Sequence, residues 1–279
     1  MKNWKHPPLD PSLSKYVDCY WMIEKDSQDE LHTHPRLNPD PAGHLIIAPP
    51  NQPYNYQVDN NKVSGYGTHM MLPQSRTIIL DHSKPFTIVG IKFHVGALYS
   101  LGFEPDLPLT DLIISGSDSL PVGVELIDPI SLFEEASSNV DAICRMLDAY
   151  MIPWVSRSHE DKHSQLVRSA ISFLERYPVA QIGRKLHCSQ RTIERAFSRV
   201  TGLSLKQYKS MLTLEDLLAF LYQHQDSDLN WSHIAVEFGF SDQPHLIRYL
   251  KSVIGATPGQ YIKTRDLTID TYGDFQSHD

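Results

Sequence analysis

Apolar and polar positions follow two different rhythms along the chain. Up to about residue 93, short β-prone runs stand between clusters of Pro, Asn and Gly: Val17 to Ile23, His44 to Ala48, Tyr54 to Val58, Arg76 to Leu80 and Phe86 to Phe93. Proline punctuates the first half, with 16 of the 19 prolines preceding Ser164. Short strands punctuated in this way predict a compact antiparallel sandwich or barrel. Between Pro129 and Trp154, Ile130, Phe133, Ile143, Met146, Leu147 and Tyr150 recur near the helical period and predict one or two helices that close the first domain. Arg157 to His163 is polar and reads as a linker.

Beyond Ser164 the period is helical. Val167, Ala170, Ile171 and Leu174 make one stripe, expected to end at Tyr177 because Pro178 follows. Leu205 to Tyr222 predicts a long Leu-rich helix. After Arg265 no apolar period remains, and the tail is expected to be loosely ordered. The expected organisation is α+β and multidomain: residues 1–128 an antiparallel β domain, 129–163 a helical segment and linker, 164–265 an all-α domain, and 266–279 an acidic tail.

The all-α stretch carries an internal repeat. Ile182, Leu186 and Ser189 correspond to Ile234, Phe238 and Ser241 at an offset of 52, and Ile193, Arg195, Phe197, Gly202, Gln207 and Tyr208 to Leu246, Arg248, Leu250, Gly255, Gln260 and Tyr261 at 53. The second copy therefore has one extra residue just after the shared serine. Each copy predicts two helices across a tight turn. Val179, Ile182, Gly183 and Leu186 form the first stripe, with His187 and Cys188 in the turn and Ser189 as N-cap. Trp231, Ile234, Ala235 and Phe238 form its counterpart, with Gly239 in the turn and Ser241 expected as cap. His187 stands where Gly239 serves in the other copy, a position that asks for left-handed backbone. Opposite the apolar stripes, the second helices present Arg191, Thr192, Arg195, Ser198 and Arg199 in one copy, and Pro244, His245, Arg248, Lys251 and Ser252 in the other.

Charge sharpens this reading. The 279 residues carry a net charge of −8, but residues 1–163 contribute −9, residues 164–265 contribute +5 and the last 14 contribute −4. A basic block within an acidic chain points to a polyanion partner for that block alone. A short helix, a tight turn and a second helix with a cationic hydrogen-bonding face is the layout of a helix-turn-helix reader, whose second helix enters the DNA major groove. An 18-residue connecting helix spans about 27 Å, close to the ~34 Å of one duplex turn. Mean hydropathy is −0.31, and no apolar run approaches a membrane span. Met1 to Tyr16 has no signal-peptide core, and the cytoplasm is the expected location. Cys19, Cys144 and Cys188 are too scattered for a zinc or disulfide framework.

The stretch from Phe238 to Tyr261 closely resembles the C-terminal signature of AraC/XylS-family transcription regulators, and Cys188 to Phe197 resembles that family's first reader helix. The resemblance covers roughly Gln165 to Thr264. It implies sequence-specific DNA binding through two helix-turn-helix motifs on adjacent major grooves, the first reading bases more strongly. Candidate DNA-binding residues are Ser189, Gln190, Arg191, Thr192, Arg195, Arg199, Ser241, Gln243, His245, Arg248 and Lys251. Two features depart from the family pattern: Thr213 and Leu218 stand where the connecting helix commonly has basic residues, and Pro244 replaces a small polar residue. Ile88 to Phe103 is similar to the end of the cupin-like sensor domain of such regulators, which implies a cupin-like β domain, a candidate small-molecule effector, and candidate contacts with a second copy and with RNA polymerase.

A competing class is a cupin-like metalloenzyme fused to a DNA-binding module. His32 and His34 form an H-x-H pair, and His44, His69, His82 and His94 are candidate third ligands. Asn38 and Pro39 stand where a cupin site would carry its Glu, and Pro35, Pro39 and Pro41 favour a loop over a strand. No nucleophile elbow or phosphate-binding glycine loop is present. The expectation is therefore a regulator without catalytic residues, metal or cofactor, whose partner is double-stranded DNA.

Overall fold

The computed structural model describes residues 2–27, 33–103, 109–115, 127–136, 139–224 and 229–272. The first half is two antiparallel sheets. The larger contains β1 (Lys2–His6), β2 (Val17–Lys25), β4 (His44–Ile47), β7 (His69–Met71), β9 (Phe86–Phe93) and β10 (Ile113–Ser115) in the order β1-β2-β9-β4-β7-β10. The smaller contains β3 (Arg36–Leu37), β5 (Pro53–Val58), β6 (Asn61–Tyr66) and β8 (Ile78–Leu80) in the order β3-β8-β5-β6. A single turn, α1 (Ala97–Ser100), follows β9, and α2 (Pro129–Ala136) and α3 (Val140–Val155) come after β10.

The larger sheet is covered on both faces, which is why β2 shows no simple alternation of apolar and polar residues. One face, carrying Tyr20, Met22, Leu45, Val89 and Ile91, packs on Ile143, Leu147 and Met151 of α3. The other carries Ile46 and Met71 and meets Tyr54, Tyr56, Ile78 and Leu80 of the smaller sheet. The one carboxylate that α3 buries has partners: Asp148 accepts hydrogen bonds from the Tyr20 hydroxyl (2.7 Å) and the Asp10 amide (2.8 Å).

The five runs expected as strands all contain strands. β1, β3, β6, β7 and β10 were not legible, because β1 is KNWKH with only Trp4 buried, β3 is two residues long and β6 buries none of its side chains. Tertiary pairing, rather than local pattern, makes them strands.

The second half consists of α4 (Lys162–Leu174), α5 (Val179–Lys185), α6 (Gln190–Thr201), α7 (Leu205–Gln223), α8 (Trp231–Glu237), α9 (Gln243–Ile254), α10 (Pro258–Thr264) and α11 (Thr268–Tyr272). It has two cores sharing one spine. Leu205, Tyr208 and Met211 of α7 pack with Ile182, Ile193 and Phe197, while Leu214, Leu217 and Leu221 pack with Ile234, Leu246 and Leu250. Among the described residues no helix is long and apolar enough to cross a membrane.

The tail corrects an expectation. Residues 266–272 are ordered, with Leu267 fully buried in the second core and Tyr272 buried on the β half. Two apolar anchors five residues apart in an acidic segment carry no period, so only the tertiary structure reveals them.

Candidate nucleic-acid interface

The two helix-turn-helix units are built as their sequences predict at the turns. His187 has φ +53° and Gly239 φ +79°, so both turns pass through the left-handed region. In the first unit the Cys188 amide donates to the Gly183 carbonyl (3.0 Å), and a Cβ on Gly183 would stand 2.9 Å from the Cys188 carbonyl oxygen. That glycine lets the turn fold back onto α5.

Ser189 caps α6, its Oγ accepting from the Thr192 amide at 3.1 Å. Ser241 does not cap α9: Asp242 does, its carboxylate accepting from the His245 amide at 2.7 Å, while Ser241 Oγ lies 3.3 Å from His245 Nδ1. Asp242 is the extra residue of the second copy, so the helix starts one residue late and the repeat offset lengthens from 52 to 53.

Arg191, Thr192, Arg195, Ser198 and Arg199 are exposed along α6, and His245, Arg248 and Lys251 along α9. Among the described residues Arg191, Arg195, Arg248 and Lys251 have no ion-pair partner, so their charges face solvent. Gln190 and Gln243 are half-buried and bonded within the domain, to Glu194 (3.3 Å) and to the Ser232 hydroxyl (3.2 Å) respectively. Arg199 is held by the first half: its Nε donates to the Tyr99 hydroxyl (3.2 Å), which donates to Asp161 (2.9 Å). Lys162 and His163, read from sequence as linker, begin α4 and line the concavity in front of α6. The signal that could have placed them is the capping box of Asp161 and Ser164.

Residues 182–264 match the family described as a helix-turn-helix domain, and residues 5–115 match a domain of unknown function, DUF6597. The chain carries an AraC-type helix-turn-helix domain over residues 182–264. No curated protein matches it in sequence. Among solved structures, an apo variant of ToxT from Vibrio cholerae is similar, with 12% identity over 89% of this chain and 98% of that one and a TM-score of 0.48. An AraC-type transcriptional regulator from Chromobacterium violaceum shares 23% identity over 38% and 96% of the two chains, TM-score 0.32. The C-terminal domain of AraT from Geobacillus stearothermophilus shares 20% over 43% and 97%, TM-score 0.33.

Within this helix-turn-helix domain one departure has a packing reason. Leu218 is 2% exposed in the second core, where a basic side chain would have to be buried. Thr213 is half-buried, its hydroxyl donating to the Lys209 carbonyl.

The histidines of the metalloenzyme alternative do not converge. His32 lies outside the described residues, and His34 is exposed beside Thr33. His44 bonds Asp40, His69 bonds Tyr56 and the Gly67 carbonyl, His82 meets Tyr272, and His94 lies 3.1 Å from the Ser14 carbonyl. Burial holds the His69 imidazole down near pKa 4. Among the described residues no group of three or more His, Cys, Asp or Glu side chains could hold a metal ion.

Proposed function

We propose that this DNA-binding transcription regulator reads two adjacent major grooves, α6 and α9 each lying in one, with Arg195 and Arg248 at base edges. The carrying observation is the repetition itself: two units of the same construction, each with an exposed, unpaired Arg at the equivalent position, on one continuous spine. A guanidinium in the major groove bonds guanine O6 and N7 in bidentate fashion. Arg191, Thr192, Lys251, Ser189 and Ser241 lie towards the helix ends or flanks and serve phosphates or the first base of a site, as do His245 and, through its Tyr99 tether, Arg199. Gln190 and Gln243 act through the positions of their helices, since their side chains are engaged within the domain.

In this reading residues 1–128 form the sensor for a small effector, 129–161 its helical layer and linker, 162–265 the reader and 266–279 the tail. The chain acts in the cytoplasm and carries out no catalytic step of its own. Homodimerisation through α2 and α3, where Ile130 and Ile152 are exposed, and contact with RNA polymerase belong to the same reading.

The test is duplex binding by the full chain as a function of salt. Neutralising about six to eight phosphates gives a log–log slope of roughly −5 to −7. A flat slope, or no retention at about 50 mM salt, overturns the reading.

A further inference from the structure

The β half is fastened to α6 itself. α1 begins at Gly96, whose φ is +81°, and a Cβ there would stand 2.9 Å from Val200 Cγ1 of α6. The glycine lets this turn close onto the C-terminal half of the helix. Val95 and Tyr99, on either side of it, pack on the first core of the reader.

That contact brings a hydroxyl to the reader. Tyr99 has one hydroxyl proton, which it donates to Asp161 (2.9 Å), and its oxygen accepts from Arg199 Nε (3.2 Å). The Arg199 guanidinium carbon lies 5.9 Å from the centre of the Tyr99 ring. Asp161 also accepts from the His163 and Ser164 amides, at 2.8 Å each, so its carboxylate closes the start of α4 and Tyr99 stands between it and Arg199. Among the described residues nothing hydrogen-bonds or ion-pairs with the two Nη groups of Arg199. A guanidinium held at Nε keeps its terminal N–H groups for an acceptor from outside. Holding it in advance removes part of the ordering cost that a long, free side chain meets on binding.

The space in front of those groups is cationic. Lys162, His163, Arg191, Arg195 and Arg199 line an open concavity of about 980 Å³. Its one lining carboxylate, Glu194, accepts from Gln190 Nε2 at 3.3 Å. With Asp161 behind it, four permanent cations face two carboxylates. Glu160, the next acid along the chain, is balanced by Lys15 (3.3 Å) and Arg168 (2.6 Å). Lys162 is exposed and has no hydrogen bond or ion pair among the described residues. An excess of cations over an opening this wide suits an extended polyanion rather than an enclosed small ion.

We infer that Tyr99 and Lys162 belong to the DNA interface: Tyr99, from the β half, is the positioning residue that holds Arg199 for a backbone phosphate beside the groove read by α6, and Lys162 grips the same or the adjoining phosphate from the start of α4. The inference rests on the DNA-reading proposal for α6. The 12 residues of α6 span about 18 Å, more than the ~12 Å width of the major groove. With Arg195 at base edges, Arg199 in the last turn therefore reaches the strand that borders the groove. The grip on the backbone is shared by both halves of the chain, and it weakens when the Tyr99 hydroxyl is removed although that hydroxyl carries no charge.

The experiment measures the affinity of the full chain for a duplex selected from a random pool, in which single phosphates are replaced in turn by neutral methylphosphonates. In the wild type, neutralising one phosphate or two adjoining ones on one strand is expected to weaken binding at least fivefold, and Arg199→Ala and Lys162→Ala should each bring that cost below twofold at the same place. Tyr99→Phe, which keeps the ring, should weaken binding of the unmodified duplex three- to tenfold in the wild-type background and leave Arg199→Ala unchanged, because the hydroxyl acts through that guanidinium. A hydroxyl that merely supports the fold would weaken both backgrounds alike, and that result overturns the inference. So does Tyr99→Phe binding as wild type does, or Arg199→Ala and Lys162→Ala losing sensitivity at distant phosphates or at none. Wild-type binding that depends on salt while Tyr99→Phe is silent removes this inference alone; a wild type that holds no duplex removes the DNA-reading proposal and this inference with it.

Discussion

Replacing Arg36 with alanine removes a clamp between the β half and α9. Arg36 is on β3, its side chain only 17% exposed. Its Nη1 donates to the Ile254 carbonyl at the end of α9 (2.6 Å), and its Nη2 pairs with Asp266 at 2.5 Å. The first contact satisfies an orphan carbonyl at the negative end of a helix with a cation. A hydrogen bond to a charged group is worth about 1.5–3 kcal/mol. Asp266 is more than a third open to solvent, so the ion pair itself adds little. The expected loss is about 2 kcal/mol of docking energy, borne by whichever half melts first. At roughly 2–4 °C per kcal/mol for a unit of about 150 residues and 4–8 °C for one of about 100, differential scanning calorimetry should show the lower transition fall by about 4 °C or more, and the two transitions separate. Arg36→Lys keeps the charge but not both directed donors and should fall between. A transition within about 1 °C of wild type, in a variant whose circular dichroism is unchanged, would refute the clamp.

Arg195→Ala should relax base preference, selected from a random duplex pool, more than Arg248→Ala, because α6 has the richer exposed polar face; uniform weakening on all sequences would make Arg195 a phosphate contact. Asp242→Ala should cost the second unit about 1 kcal/mol in urea denaturation and Ser241→Ala almost nothing, the reverse being expected if the serine were the cap. His69 is held near pKa 4 by burial, against about 6.5 when unfolded, so the stability from its neutral ring is complete above pH 6.5 and is lost as the pH falls towards 4. Thermal melts of His69→Gln should show a shallower decline over that window than wild type. Gly183→Ala should destabilise the first unit by about 1–3 kcal/mol, because the Cβ meets backbone that cannot move aside; an unchanged melt would show that the turn relaxes.

Local rules make much of the reader legible in the sequence. The left-handed turns at His187 and Gly239, the Ser189 cap and the outward Arg195 and Arg248 follow from helical period, capping chemistry and backbone sterics, which act over a few residues. The repeat also contained the evidence of its own exception, since the offset change marks Asp242, but only the observed hydrogen bond reveals that this residue takes over the cap.

Periodicity and charge are properties of contiguous segments, and they divide the chain into a β region with its helical layer and a basic double helix-turn-helix. How the halves meet is set by long-range packing. Strands β1, β3 and β6 exist because partners supply their hydrogen bonds, Lys162 and His163 reach the reader face because Asp161 caps α4 and they form its first residues, and residues 266–272 are ordered because Leu267 and Tyr272 are each buried against distant parts of the chain. Such contacts join positions up to 269 residues apart, as Asn3 and Tyr272 do. Their energy arises from pairing and burial between segments, and no pattern within one segment encodes it.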